Sequence, residues 1–530
     1  MNNRFIAVAI IILLFTFNVN LSAQLDLPIL PKPREVVTSG ENISLKKNFN
    51  IYIDSKSELD KQYVSSIFYE LGFNTYFSGK ENANLVISFD KKASNNAEGY
   101  ILKVQDKSKN QIKVSAPSKS GALYAIQTLR QIIKTTNGEF SVPECTIKDE
   151  PAFPWRAYMQ DESRHFQGMT TVKLLLDEMA RLKMNTFHWH LVDDQGWRIE
   201  IKQYPKLTEV GSKRDFSNGG LTPAQWDEKY PSRKMYYTQD EIKEIIAYAD
   251  NRGIRIIPEI EVPGHASASI FAYPWLGATS SKEGVGLWGD LYNVTDPKVE
   301  EFIRNVLDEV VALFPSKIVH IGGDEANYTH WQNNPQIVEF MKSNNIPTFS
   351  DLQVWSINRF SKYLASKGSR MIGWNEITGD NIRGEAHIQA SQSESLAPGT
   401  IVQFWDGDIS LVNKAIEKGY DVVNSNRLFT YLDYPYSSIS FEKAYSFNPI
   451  PEGLKKEDEK KIYGLGCQMW GEYTPTKDRL YFQIFPRLAA YAECGWTQNK
   501  DKNYQDFRKR YNTTIEPIWK ENDYLKLQDY

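Results

Sequence analysis

The chain has 530 residues and a formal net charge of −4. It is long enough for a sizeable core and more than one domain, and its charge balance gives no sign of a nucleic-acid partner or a polybasic membrane anchor. With 41% hydrophobic and 24% charged residues it reads as an ordinary soluble protein, so function has to be sought in motifs rather than in composition.

The N-terminal stretch MNNRFIAVAIIILLFTFNVNLSAQ carries one positive charge, Arg4, then an apolar run from Phe5 to Phe17 and the small residues Ser22 and Ala23. The run is short for a membrane span and suits a secretory signal, so residues 1–23 are expected to be removed after Ala23. The mature chain is then expected to be exported to the periplasm or the medium, with no membrane span left. No cysteine lies near the cleavage point, which excludes a lipid anchor there. The three cysteines, Cys145, Cys467 and Cys494, lack metal-ligand spacing and are odd in number, so they read as small buried residues.

Residues 24–150 read as a small α+β domain. Alternation and β-branching predict strands over NISLKKNFNIYID (42–54), NANLVISFD (82–90), GYILKVQD (99–106) and QIKVSA (111–116). Helical spacing is found in SELDKQYVSSIFYELGF (57–73) and SKSGALYAIQTLRQIIK (118–134), each with a Ser at its predicted N-cap. The proline-containing DEPAFPW (149–155) marks the boundary.

From residue 151 to 530 the rhythm changes. Strand patterns begin near residues 156, 184, 254, 317, 370, 400, 420 and 463, with amphipathic helices such as 171–183, 238–253, 296–314 and 351–368 between them. Eight strand–helix alternations predict an α/β fold of the (β/α)8 TIM-barrel type, followed by a C-terminal helical tail. Catalytic groups of such barrels sit at the C-terminal ends of the strands. Here those ends read DESRHF, HWHLVDDQGWR, PEIEVPGHA and HIGGDE, then Trp374, Trp405, FTYLDY and QMWGE. No nucleophile elbow or phosphate loop is present. His188 and His190 share a strand face in the manner of a ligand pair, but the aromatic surroundings fit a sugar better than a hydrated cation, so no metal and no cofactor are expected. The bland alternative for this pair is packing, with hydrogen bonds to Asp193 or Glu261. Paired carboxylates in an aromatic cup suit glycoside hydrolysis, because a second carboxylate helps to keep an acid protonated. Asp324 and Glu325 are adjacent, so they can face one substrate only if the backbone bends, which Gly322 and Gly323 allow.

HIGGDE, HWHLVDDQGWR, EIEVPGHA, YLD and WGE, in this order, resemble glycoside hydrolase family 20, the β-N-acetylhexosaminidases. The resemblance covers the barrel to about Trp496, and the segment before it is similar to the family's accessory domain. It implies an exo-acting β-N-acetylhexosaminidase that removes terminal β-linked GlcNAc or GalNAc with retention, the substrate's 2-acetamido oxygen acting as nucleophile through an oxazolinium intermediate. Glu325 is then acid and base, and Asp324 orients the acetamido group. Tyr431 hydrogen-bonds its oxygen, and Trp374, Trp405 and Trp470 wall its pocket. Arg164, Asp433 and Glu472 hold sugar hydroxyls, while Asp193 and His265 support Glu325. The implied partner is a small molecule or glycan ending in an N-acetylhexosamine, not a nucleic acid. A disaccharide-releasing lacto-N-biosidase-like relative and an inactive barrel that only binds carbohydrate are the alternatives.

Overall fold

The structure is a computed structural model that describes residues 27–107, 111–213, 234–279, 290–380 and 395–527. The leader expected at 1–23 lies outside the described residues, as do parts of the loops 211–236 and 276–295. Among the described residues, no helix is long and apolar enough to cross a membrane.

The N-terminal unit is an eight-stranded mixed sheet in which Glu35–Leu45, Glu139–Asp149, Tyr100–Val104, Ile112–Ala116, Leu85–Phe89, Asn48–Ile53 and Asn74–Phe77 follow one another, with Lys134–Thr136 paired to Glu139–Asp149. The strand expected over 42–54 is two strands, since the chain leaves the ladder at Lys46–Lys47 and resumes beside a different neighbour. The helix expected to begin at Ser57 is Lys61–Glu70. Ser57 belongs to a short 3-10 turn, and Asp60 is the N-cap, its carboxylate accepting the Tyr63 N–H at 2.6 Å. The second helix, Lys119–Ile132, starts as read, with Ser118 accepting the Gly121 N–H.

The second unit is a closed parallel barrel. Its strands are β1 (Trp155–Asp161), β2 (Thr186–His190), β3 (Arg255–Glu259), β4 (Ile318–His320), β5 (Arg370–Trp374), β6 (Ile401–Phe404), β7 (Asp421–Asn424) and β8 (Ile462–Met469). All eight fall where the sequence pattern puts them, and β8 closes on β1. Period-two alternation sorts the inward side chains into layers. Ala157, Ile257, Ile318, Ile372, Ile401 and Val423 fill the N-terminal end with an apolar plug. Two residues further along, the inward positions are Glu259, His320, Trp374 and Gln403, so the barrel turns polar and aromatic towards its C-terminal mouth. Four α-helices follow β8 among the described residues: Lys477–Ile484, Arg487–Trp496, Tyr504–Thr514 and Glu516–Glu521.

The two units meet through buried ion pairs. Arg156, at the start of β1, is fully buried and donates two hydrogen bonds to Glu98 of the N-terminal unit, at 3.0 and 2.8 Å. Lys183 Nζ lies 3.0 Å from Asp149 Oδ2 and 4.4 Å from the centre of the Trp496 ring. Removing one partner of a buried pair leaves the other charge desolvated without compensation. Asp149→Asn is therefore expected to cost about 3 kcal/mol of stability. Urea unfolding followed by fluorescence checks this, and an unchanged midpoint would show that the pair is not needed.

Candidate active site

The bend that brings the two carboxylates together begins where β4 ends. The ladder closes at His320, and Gly322 and Gly323 take φ values of 63° and 92°. Both glycines also leave room. A Cβ on Gly322 would collide with the Glu261 carboxyl, and one on Gly323 would lie 2.6 Å from Ile377 Cγ2. Glu325 itself has φ 46°, and His265 on the facing loop has φ 49°. Left-handed backbone at a glutamate and a histidine is strained, and strain of this kind concentrates at functional sites.

The outcome is that both carboxylates face one imidazole. His265 Nε2 lies 3.6 Å from Asp324 Oδ2 and 3.8 Å from Glu325 Oε2, while its Nδ1 is 3.1 Å from Asp193 Oδ1. Burial disfavours the imidazolium, but Asp193 and then Asp324 outweigh it and hold His265 well above the usual histidine range. Asp324 is pushed up to about 7, chiefly by burial and, among its neighbours, by the Glu325 charge, with His265 pulling the other way. Asp324 is buried, whereas the Glu325 side chain is 36% exposed, so Glu325 is the member of the pair that reaches the open mouth.

Beside the pair stands a closed ring of aromatics. Trp374 and Trp405 have ring centres 6.5 Å apart, Trp405 and Tyr431 6.2 Å, Tyr431 and Trp470 6.0 Å, and Trp470 and Trp374 5.9 Å. These four residues come from the ends of β5, β6, β7 and β8. The resemblance had Trp374, Trp405 and Trp470 walling one pocket; the structure brings these three rings together, with Tyr431 completing the ring.

The charged residues named from the sequence also converge, with different emphasis. Arg164 sits mainly in a protein network: Nε donates to Gln195 at 2.8 Å, Nη1 to Asp161 at 3.1 Å, and Nη2 lies 2.7 Å from Asp193. At least three of its five N–H groups are thereby engaged. Asp193 is the hub of the mouth, holding Arg164, His265 and the His190 Nε2, the last at 2.9 Å. Burial opposes its charge, yet Arg164 and then His265 keep it well below the usual aspartate range. Glu472 lies 4.0 Å from Arg164. Asp433 is pushed up to about 8 by burial and by Glu472, and its Oδ1 has no hydrogen-bond partner among the described residues.

Two carboxyls of the site, Glu259 and Glu376, were not singled out from the sequence, and Glu261 was named there only as a possible histidine partner. Glu259 binds His190 Nδ1, while His190 Nε2 reaches Asp193, one of the two partners named from the sequence, and the other, Glu261, is 3.8 Å away. Glu259 also has His188 Nε2 at 2.9 Å, His320 Nδ1 at 2.8 Å and the Trp374 indole N–H at 2.9 Å. His188, His190 and His320 thus converge on one buried carboxylate, Glu259. Glu261, buried above it, has no hydrogen-bond partner among the described residues at either oxygen. Burial, Asp324 and Glu259 push it well above the usual glutamate range. Glu376 accepts the Trp405 indole N–H at 2.9 Å. Inward register marks Glu259 and Glu261, since 257, 259 and 261 alternate onto one face; nothing local marks Glu376.

Comparison with known proteins agrees with this geometry. Residues 153–499 match the family description "Glycosyl hydrolase family 20, catalytic domain", and residues 26–150 match "Glycosyl hydrolase family 20, domain 2". The chain is 33% identical over 519 residues to a β-hexosaminidase of Porphyromonas gingivalis, covering 91% of this chain and 62% of that protein. It therefore spans less than two thirds of that relative's length. Among solved structures, a β-N-acetylhexosaminidase from Bacteroides fragilis superposes with a TM-score of 0.78 at 29% identity, covering 93% of this chain and 96% of the other. An exo β-N-acetylglucosaminidase from Vibrio harveyi in complex with N-acetylglucosamine gives 0.79 at 29% identity, covering 94% and 78%. With its barrel and its N-terminal unit both matched, the chain belongs to glycosyl hydrolase family 20.

Proposed function

We propose that this protein is an exported, exo-acting β-N-acetylhexosaminidase that removes terminal β-linked GlcNAc or GalNAc with retention. The observation that carries this reading is the four-ring aromatic cage standing beside two carboxylates that share one imidazole. A closed apolar box suits a small methyl-bearing group next to a sugar, and acetamide is such a group. The complex of the Vibrio harveyi relative with N-acetylglucosamine supports the same substrate class.

In the proposed reaction the acetamido methyl enters the cage and the Tyr431 hydroxyl donates to the acetamido oxygen. Asp324, as carboxylate, accepts the acetamido N–H and stabilises the positive charge that grows on the nitrogen as the oxygen attacks the anomeric carbon. Glu325 gives its proton to the departing glycosidic oxygen. It then takes a proton from the water that opens the oxazolinium ring on the same face. His265, positively charged and anchored on Asp193, keeps the two carboxylates in register.

Turnover of p-nitrophenyl β-GlcNAc, with competitive inhibition by a GlcNAc thiazoline, is the expected result. Turnover of a lacto-N-bioside glycoside alone, or GlcNAc binding without turnover, would replace the reading. Export rests on the leader pattern at residues 1–23. N-terminal sequencing of protein recovered from the periplasm or medium should begin at Gln24, and a start upstream would remove the cleavage.

A further inference from the structure

The 3-10 turn Asn375–Thr378 after β5 grips Trp405 at two points. Asn375 Oδ1 accepts the Trp405 backbone N–H at 3.0 Å, and Glu376 Oε2 accepts the indole N–H at 2.9 Å. Both gripping residues are buried. The turn is itself fixed from below, because Ile377 fills the space left by Gly323 and Gly373. On its other side the Trp405 ring lies at 10° to Tyr431 and at 71° to Trp374. The tilt of one cage wall is therefore tied to a carboxyl that lies outside the cage. Rotating the Trp405 ring would change the space between the walls, which is the space an N-acyl group occupies.

We propose that Glu376 is a positioning residue that holds the Trp405 indole and thereby fixes which length of N-acyl group the site accepts. This rests on the function proposed above. The chemistry of the grip is that of an acceptor oxygen. Burial, followed by the charges of Asp324 and Glu325, pushes Glu376 up to about 8, so at neutral pH it is mainly a neutral acid. An amide reproduces the shape and the acceptor oxygen of a neutral acid; a leucine fills similar volume and accepts nothing.

The test compares the full chain with Glu376→Gln and Glu376→Leu on p-nitrophenyl β-glycosides of N-acetyl- and N-propionylglucosamine. One methylene in a fitted pocket discriminates by roughly tenfold or more, so the wild type is expected to favour the acetyl substrate in kcat/KM by that margin. Glu376→Gln should keep the ratio, and Glu376→Leu should bring it to within about threefold of unity, largely by raising KM for the acetyl substrate. A general loss of folding would lower both rates and leave the ratio alone. A wild-type ratio in Glu376→Leu overturns the proposal. If that variant does not fold, Trp405→Phe, which lacks the indole N–H, must lose the ratio in the same way, and an unchanged ratio there overturns it as well. A wild type that turns over neither glycoside overturns the proposed function, and the inference falls with it, so the two failures are told apart.

Discussion

Glu325→Gln is expected to lose 10²-fold or more in kcat on natural glycosides, which is the usual range for removing a general acid. The same variant should lose far less on a glycoside with an activated leaving group such as dinitrophenol, because that group departs without a proton. The geometry behind this asymmetry is the unequal burial of the pair. Glu325 stands at the open mouth, where the proposed mechanism needs access for the glycosidic oxygen and the incoming water, while Asp324 is enclosed. Comparing the two substrates under saturating conditions isolates the proton-transfer step. Equal losses on both would take the acid role away from Glu325.

Asp324→Asn should behave in the opposite sense. It is expected to cost about 10²-fold or more on activated and natural substrates alike, because in the proposed mechanism the step it serves, attack by the acetamido oxygen, precedes or accompanies every departure. Its pH signature is equally specific. Asp324 is pushed up to about 7, and only its ionised form can accept the acetamido N–H in the proposed mechanism. Wild-type kcat/KM, which reports the free enzyme, should then fall as the pH drops through about 7, as Asp324 takes up a proton. In the Asn variant no group titrates at 324, so that acid-side fall should disappear along with most of the activity. Full turnover by the variant, or an acid limb unchanged from the wild type, would contradict this assignment.

Much of this was legible in the sequence because barrel strands carry their orientation with them. The eight strand–helix repeats announced the closed sheet, and the motifs at the strand ends marked its C-terminal mouth as the site. HIGGDE showed that the chain must bend. What could not be read was why each glycine is there: Gly322 yields to the carboxyl of Glu261, from the neighbouring strand, and Gly323 to Ile377, from the turn after β5. Glu376 was missed for the same reason, since its partner lies 29 residues further along the chain and the contact exists only once β5 and β6 are adjacent. In the N-terminal unit, Glu139–Asp149 was missed because Pro143 and Glu144 interrupt its alternation, and its pairing partner Glu35–Leu45 lies about a hundred residues upstream. The cap expected at Ser57 falls three residues later, at Asp60, because Ser57 closes a short 3-10 turn ahead of the helix.

The charges shared by the two units bear on how such chains can be recombined. Arg156 opens the first barrel strand and Lys183 precedes the second, yet the carboxylates that neutralise them, Glu98 and Asp149, belong to the sheet in front. The barrel thus borrows its counter-ions from its neighbour. A chimaera joining this barrel to a foreign accessory sheet has to deliver one acid to each of these two basic residues, or replace both bases with apolar side chains. Gene fusions that keep the linker length and ignore those two positions should yield insoluble protein, however well the active site itself has been preserved.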